Sequence, residues 1–128
     1  MKVLDTTLLI DLLKGKKEAY KVVEEDSVLF TTQINMYEVI RGLFLENASL
    51  QKVKEVISIL GDLRVLQLND DSVVKSSQIS SDSIKKGKRI PDCDCMIVGI
   101  SLANGINTIV TQNKKHFERI KEIKVESY

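Results

Sequence analysis

The chain has 128 residues, 43% of them hydrophobic and 29% charged, the size and make-up of one soluble globular domain. Nineteen Lys and Arg against 18 Asp and Glu leave a formal charge of +1, which excludes bulk-charge attraction to nucleic acid or to an acidic membrane; a polyanion needs a local site. Two Cys and one His are too few for a structural zinc site, and no apolar stretch approaches the ~20 residues that span a bilayer.

Lys2-Val3-Leu4 is a short apolar run cut off by Asp5-Thr6-Thr7, the pattern of a buried strand with Thr6 or Thr7 capping the next helix. Leu8, Leu9, Leu12 and Leu13 follow at helical spacing, and Gly15 stops them. Residues 18–25 read as a second short helix. Val28-Leu29-Phe30 predicts a strand with Thr31-Thr32 as the cap of an amphipathic helix built on Ile34, Tyr37, Ile40, Arg41 and Phe44, with Glu38 in its first half. Residues 50–60 give a further helix ending at Gly61, and 64–68 a third strand. A polar helix over 70–86 is closed by Gly87. Pro91 suits the first turn of a helix running to Asn104. Residues 108–111 predict a fourth strand, Phe117 and Ile120 a short helix, and 123–125 a fifth strand.

Strands alternating with helices imply parallel βαβ units with ligand sites outside the strand C-terminal ends. Cys93 and Cys95 are one residue apart, a spacing that disfavours a strain-free disulfide on a helix or strand, so buried thiols and a reducing, cytoplasmic compartment are expected. Met1 to Ile10 contains Asp5 and no small-residue cleavage site, so it does not read as a signal peptide.

The informative feature is acid in apolar surroundings. Asp5 follows the first strand, Glu38 sits between Tyr37 and Val39-Ile40, and Asp94 lies within Cys93-Asp94-Cys95-Met96-Ile97-Val98. Such carboxylates are costly unless paired, hydrogen-bonded or metal-bound. A helix cap for Asp5, an Arg41 partner for Glu38 and helix-dipole roles for Asp92 and Asp94 are the alternatives. Three acids from distant segments suggest one site, and all-oxygen ligands favour Mg²⁺ or Mn²⁺. Asp92 and Asp94 point about 200° apart on a helix, which makes Asp92 the better cap and Asp94 the better ligand.

Val3-Leu4-Asp5-Thr6 resembles the first motif of PIN-domain ribonucleases. Glu38 within Asn35-Met36-Tyr37-Glu38-Val39-Ile40-Arg41-Gly42, the stretch Gly87 to Gly99 around Asp94, and Ile109 to Ile120 are similar to the later motifs in order. The resemblance covers essentially the whole chain and is to the VapC-like toxins of type II toxin–antitoxin pairs. It implies a single PIN-like domain over 1–128, an α/β/α three-layer sandwich with a mainly parallel sheet of four or five strands. It also implies a Mg²⁺- or Mn²⁺-dependent endoribonuclease with Asp5, Glu38 and Asp94 as acidic triad. Asp5 and Asp94 would be the metal ligands, and Glu38 would hold a metal-bound water or act as general base. Thr6 and Thr111 match hydroxyl positions. The family's fourth acid falls near Asn113 or His116, neither a carboxylate; Asp92 is the substitute considered. An RNA substrate, a small antitoxin and a homodimer are the implied partners, with no membrane. The helices around Leu8–Leu13 and Ile34–Phe44 would offer the antitoxin a groove.

Lys85, Lys86, Lys88, Arg89, Lys114 and Lys115 flank the acids in sequence and would form a phosphate-binding rim. His116 reads as a surface or capping residue, and Met36 and Tyr37 as packing. The rival readings are a PIN nuclease of RNA processing, a silent PIN-like binding module, and a receiver-type signalling domain with Asp70 or Asp71 as phosphoryl acceptor.

Overall fold

The computed structural model describes residues 1–26 and 28–128. In chain order the elements are β1 (Val3–Leu4), α1 (Thr6–Leu13), α2 (Lys17–Glu24), β2 (Phe30–Thr32), α3 (Gln33–Leu45), α4 (Leu50–Leu60), β3 (Arg64–Leu66), α5 (Asp70–Lys85), α6 (Asp92–Ala103), β4 (Thr108–Val110), α7 (Lys114–Phe117) and β5 (Lys124–Glu126). The five strands form one sheet in the order β3-β2-β1-β4-β5. Every pairing is parallel, with Val3 opposite Phe30 on one side and Ile109 on the other. Five parallel strands bear out the expected mainly parallel sheet of four or five.

Alternating strand residues feed two cores, as a period of two requires. Val3, Phe30 and Ile109 pack with Ile79, Ile97, Val98 and Phe117 from α5, α6 and α7. Leu4 and Val110 face the other way, onto Leu8, Leu9, Ala19, Val39, Val56 and Leu60 from α1 to α4. Both faces are thus covered by helices, giving three layers. Asn69 and Ser72 form a reciprocal capping box that starts α5. Gly105, at φ 72°, turns the chain out of α6 in a conformation that side chains resist.

Three local expectations shift. The second strand runs Phe30–Thr32 rather than 28–30, because Phe30, Thr31 and Thr32 pair with Arg64, Val65 and Leu66. Thr32 still caps α3, accepting from the Asn35 N–H. Neither Thr6 nor Thr7 caps α1; Asp5 takes the N-cap position without a side-chain cap bond, and both threonine hydroxyls bond elsewhere. Pro91 is the N-cap of α6 rather than part of its first turn. Cys93 and Cys95 are free thiols, as expected. Among the described residues no helix is long and apolar enough to cross a membrane.

The chain winds from β1 outward through β2 to β3, then returns to place β4 on the other side of β1. The helices after β1 and β4 cover opposite faces, so a crevice opens beyond the C-terminal ends of these two strands. Asp5 is the first residue past β1 and Thr111 the first past β4.

Candidate active site

Asp5 is buried at this crevice. Its Oδ2 accepts from Thr111 Oγ1 at 2.6 Å and its Oδ1 from Asn35 Nδ2 at 3.0 Å. Both donors are neutral, so the carboxylate is oriented without being compensated. Burial pushes its pKa above the ordinary range, against the pull of these bonds. Asn35 is fully buried. It is fixed by Thr32 Oγ1, which donates to its Oδ1 at 2.7 Å, and its own amide also reaches Thr6 Oγ1 at 3.1 Å.

Thr6 passes the chain of bonds on, donating to Glu38 Oε1 at 2.7 Å. Glu38 is half-buried on α3. It takes Thr6, not Arg41, as its partner; the Arg41 guanidinium instead lies 5.2 Å over the centre of the Tyr37 ring. Tyr37 is therefore exposed rather than packed. Met36 does pack against the second core.

Asp94 enters from the first turn of α6, where its neighbours Cys95, Ile97 and Val98 are buried. It is itself buried. Its carboxyl is held above the ordinary range by burial first; Asp5 and Glu38 add to the rise, and His116 opposes it. Asp5 and Glu38 thus both lie near enough to Asp94 to act on it electrostatically. His116 Nδ1 lies 3.1 Å from Asp94 Oδ2. The sequence reading of His116 as a surface residue holds, since half its side chain is exposed, but its ring also meets Asp94.

Asp92 does not join them. It points outward and meets Arg89 at 3.5 Å, as the helical phase between positions 92 and 94 requires. Asn113 contributes its backbone N–H to Thr111 Oγ1 at 2.9 Å, and among the described residues its side chain bonds to none of the acids. Thr7, expected from sequence only as a helix cap, ties the crevice together through Thr111 Oγ1 at 3.3 Å and the Gln112 N–H at 3.0 Å. Asp70 and Asp71 lie at the start of α5, after the edge strand β3, which β2 separates from β1, so they do not stand beside Asp5 as a receiver-type acceptor would.

These groups stand in a fold that comparison with known proteins resolves. The family profile described as "PIN domain" matches residues 2–123. The chain belongs to the PIN-domain family. This PIN domain is 30% identical over 125 residues to the protein named ribonuclease VapC1 of Methanocaldococcus jannaschii, covering 97% of this chain and 84% of the relative. It is 28% identical over 127 residues to the tRNA(fMet)-specific endonuclease VapC of Salmonella typhimurium, covering 98% and 96%. The fold matches a chain in the crystal structure of VapBC2 from Rickettsia felis bound to a DNA fragment from their promoter. That match has a TM-score of 0.84 and 20% identity, over 99% of this chain and 98% of that one. The protein is thus a VapC-like PIN domain.

As they stand, no three His, Cys, Asp or Glu side chains among the described residues are drawn together closely enough to hold an ion. The donor chemistry of this PIN domain nonetheless fits a hard divalent ion. Asp5 and Asp94 are buried carboxylates, and both are held above their ordinary pKa. A positive ion would relieve both penalties, and oxygen donors suit Mg²⁺ or Mn²⁺.

Proposed function

We propose that this VapC-like domain is a Mg²⁺- or Mn²⁺-dependent endoribonuclease and the toxin of a toxin–antitoxin pair. The observation that carries the reading is the hydrogen-bond chain that runs from Asp5 through Asn35 and Thr6 to Glu38, with buried Asp94 near enough to feel both acids. Its relatives named ribonuclease and endonuclease VapC support nuclease chemistry.

Asp5 and Asp94 would hold the ion. When bound it would supply a water of lowered pKa and offset the charge that grows on the phosphate. Thr111 and Asn35 keep Asp5 in one orientation. Thr6 occupies only Oε1 of Glu38, which leaves Oε2 to take the proton of the attacking water as general base. The basic residues hold the RNA backbone. Lys85 closes α5, while Lys86, Lys88 and Arg89 occupy the exposed loop before α6; Lys114 and Lys115 open α7. Arg119 Nη1 donates to the Lys88 carbonyl at 3.3 Å, which brings the two basic segments side by side. With few aromatics in the chain, phosphate contacts and shape outweigh base stacking.

The antitoxin and homodimer belong to the same reading. The solved relatives of this fold include toxin–antitoxin complexes. On α3 this chain exposes Tyr37, Phe44 and Leu45 beside Ile40 and Arg41, an apolar strip adjoining Glu38. The helix expected to contribute a groove therefore presents one outward face.

The test is cleavage of a panel of structured RNAs, transfer RNA among them, with Mg²⁺, with Mn²⁺ and in excess chelator. Cleavage that needs the ion and is lost in Glu38→Gln supports the reading. Undiminished cleavage in chelator, or in the variant, rejects it.

A further inference from the structure

The mechanism above leaves His116 unused, although its imidazole faces the acids. It stands on α7, the segment that follows β4, so the same crossover that delivers Thr111 to Asp5 delivers His116 to Asp94. The Nδ1 to Oδ2 separation is 3.1 Å. Neighbouring corners of an octahedral ion with bonds of about 2.1 Å lie about 3.0 Å apart. The pair is hydrogen-bonded as it stands, and the same separation suits two adjacent ligands on one ion. Asp92 points away to Arg89 and the Asn113 side chain bonds to none of the acids, so His116 is the group that α7 offers to the crevice. Its ring is half exposed, free to turn a nitrogen from Asp94 to an ion.

We propose that His116 is a metal ligand: the divalent site proposed above is a mixed one, with oxygen donors from Asp5 and Asp94 and a nitrogen donor from His116. The inference rests on the metal-dependent reading and specifies it. An imidazole nitrogen is a poor partner for Mg²⁺ and a good one for first-row transition ions. The site is thereby tuned to Mn²⁺ over Mg²⁺, whereas a carboxylate in its place would favour neither so strongly.

His116 is the sole histidine, which gives a clean spectroscopic test in untagged protein freed of metal with chelator. Mn²⁺ is added at pH 8 and pulsed electron paramagnetic resonance reads nitrogen coupled to the ion, while competition calorimetry gives the Mn²⁺-to-Mg²⁺ affinity ratio. The expected result is a nitrogen signal in the wild type that His116→Gln loses, together with about a tenfold or greater loss of Mn²⁺ affinity. His116→Asp is expected to bind both ions and to lower the ratio. Circular dichroism of each variant checks that the fold is intact. Mn²⁺ bound with no nitrogen signal, or a signal that persists in His116→Gln, overturns the ligand role and leaves the metal-dependent reading in place. Failure of the wild type to bind Mn²⁺ at all overturns both.

Discussion

Thr111 Oγ1 donates to Asp5 Oδ2 at 2.6 Å, joining residues 106 positions apart in sequence. The bond is buried, and Thr111 also accepts from the Asn113 N–H. Thr111→Val keeps the shape and removes these two bonds together with the one to Thr7 Oγ1. It is expected to destabilise the protein by about 1–3 kcal/mol in urea unfolding. RNA cleavage should fall about 10- to 100-fold, the range found when a group that orients a metal ligand is lost. Wild-type cleavage by Thr111→Val would show that Asp5 needs no such holder.

Asp5 gives a pH dependence whose sign is fixed. Burial raises its folded pKa above that of the unfolded chain. The folded state then binds more protons across that window, so stability falls as pH rises from about 3.9 through the raised value. In Asp5→Asn the Asn35 amide keeps an acceptor and Thr111 finds a donor, while the charge is gone. In chelator this variant is expected to be more stable than wild type at pH 7 by about 1 kcal/mol. The difference should vanish towards pH 4. Urea midpoints across that range decide it; a variant less stable at neutral pH contradicts the placement of an uncompensated charge.

The seam between α5 and α6 makes a separate prediction. A Cβ built on Gly99 would overlap Ser76 Oγ and lie 2.7 Å from the Ser76 backbone N. Backbone cannot yield as a side chain can, so Gly99→Ala is expected to cost about 1–3 kcal/mol or more. Ser76 Oγ is itself buried with no hydrogen-bond partner among the described residues. Ser76→Ala should therefore be neutral or stabilising by about 1 kcal/mol. Thermal melts of the two variants, shifted in opposite senses, would bear this out.

The basic rim predicts a steep dependence of RNA affinity on salt. For single-stranded RNA the slope of log affinity against log salt is about −0.7 per phosphate neutralised. Replacing Lys88 and Lys115 together by Ala is expected to weaken binding and flatten the slope by about 1.4. An unchanged slope would place the RNA elsewhere.

Most of the fold was legible because its signals are local. Runs ended by Asp5, Gly15, Gly61, Gly87 and Gly105 punctuate the elements, and helix spacing between them forced parallel crossovers. The strand around Phe30 was misplaced by two residues because Val28-Leu29-Phe30 and Phe30-Thr31-Thr32 have similar β preference. Pairing with Arg64 to Leu66 chose between them. The acids were legible because carboxylates at positions 5 and 94 interrupt apolar surroundings. Asn35 and Thr7 were not picked out as polar partners, since their roles depend on partners 30 and 104 residues away. The contact of His116 was hidden for the same reason: nothing beside it in sequence says that its ring meets Asp94.

The most direct measurement is a crystal of the protein soaked in Mn²⁺ and recorded at the manganese edge for anomalous scattering. The account predicts one strong peak at the end of β1, within about 2.2 Å of carboxylate oxygens of both Asp5 and Asp94. A soaked crystal with no peak there, or with Mn²⁺ held only by surface acids such as Asp92, would contradict it.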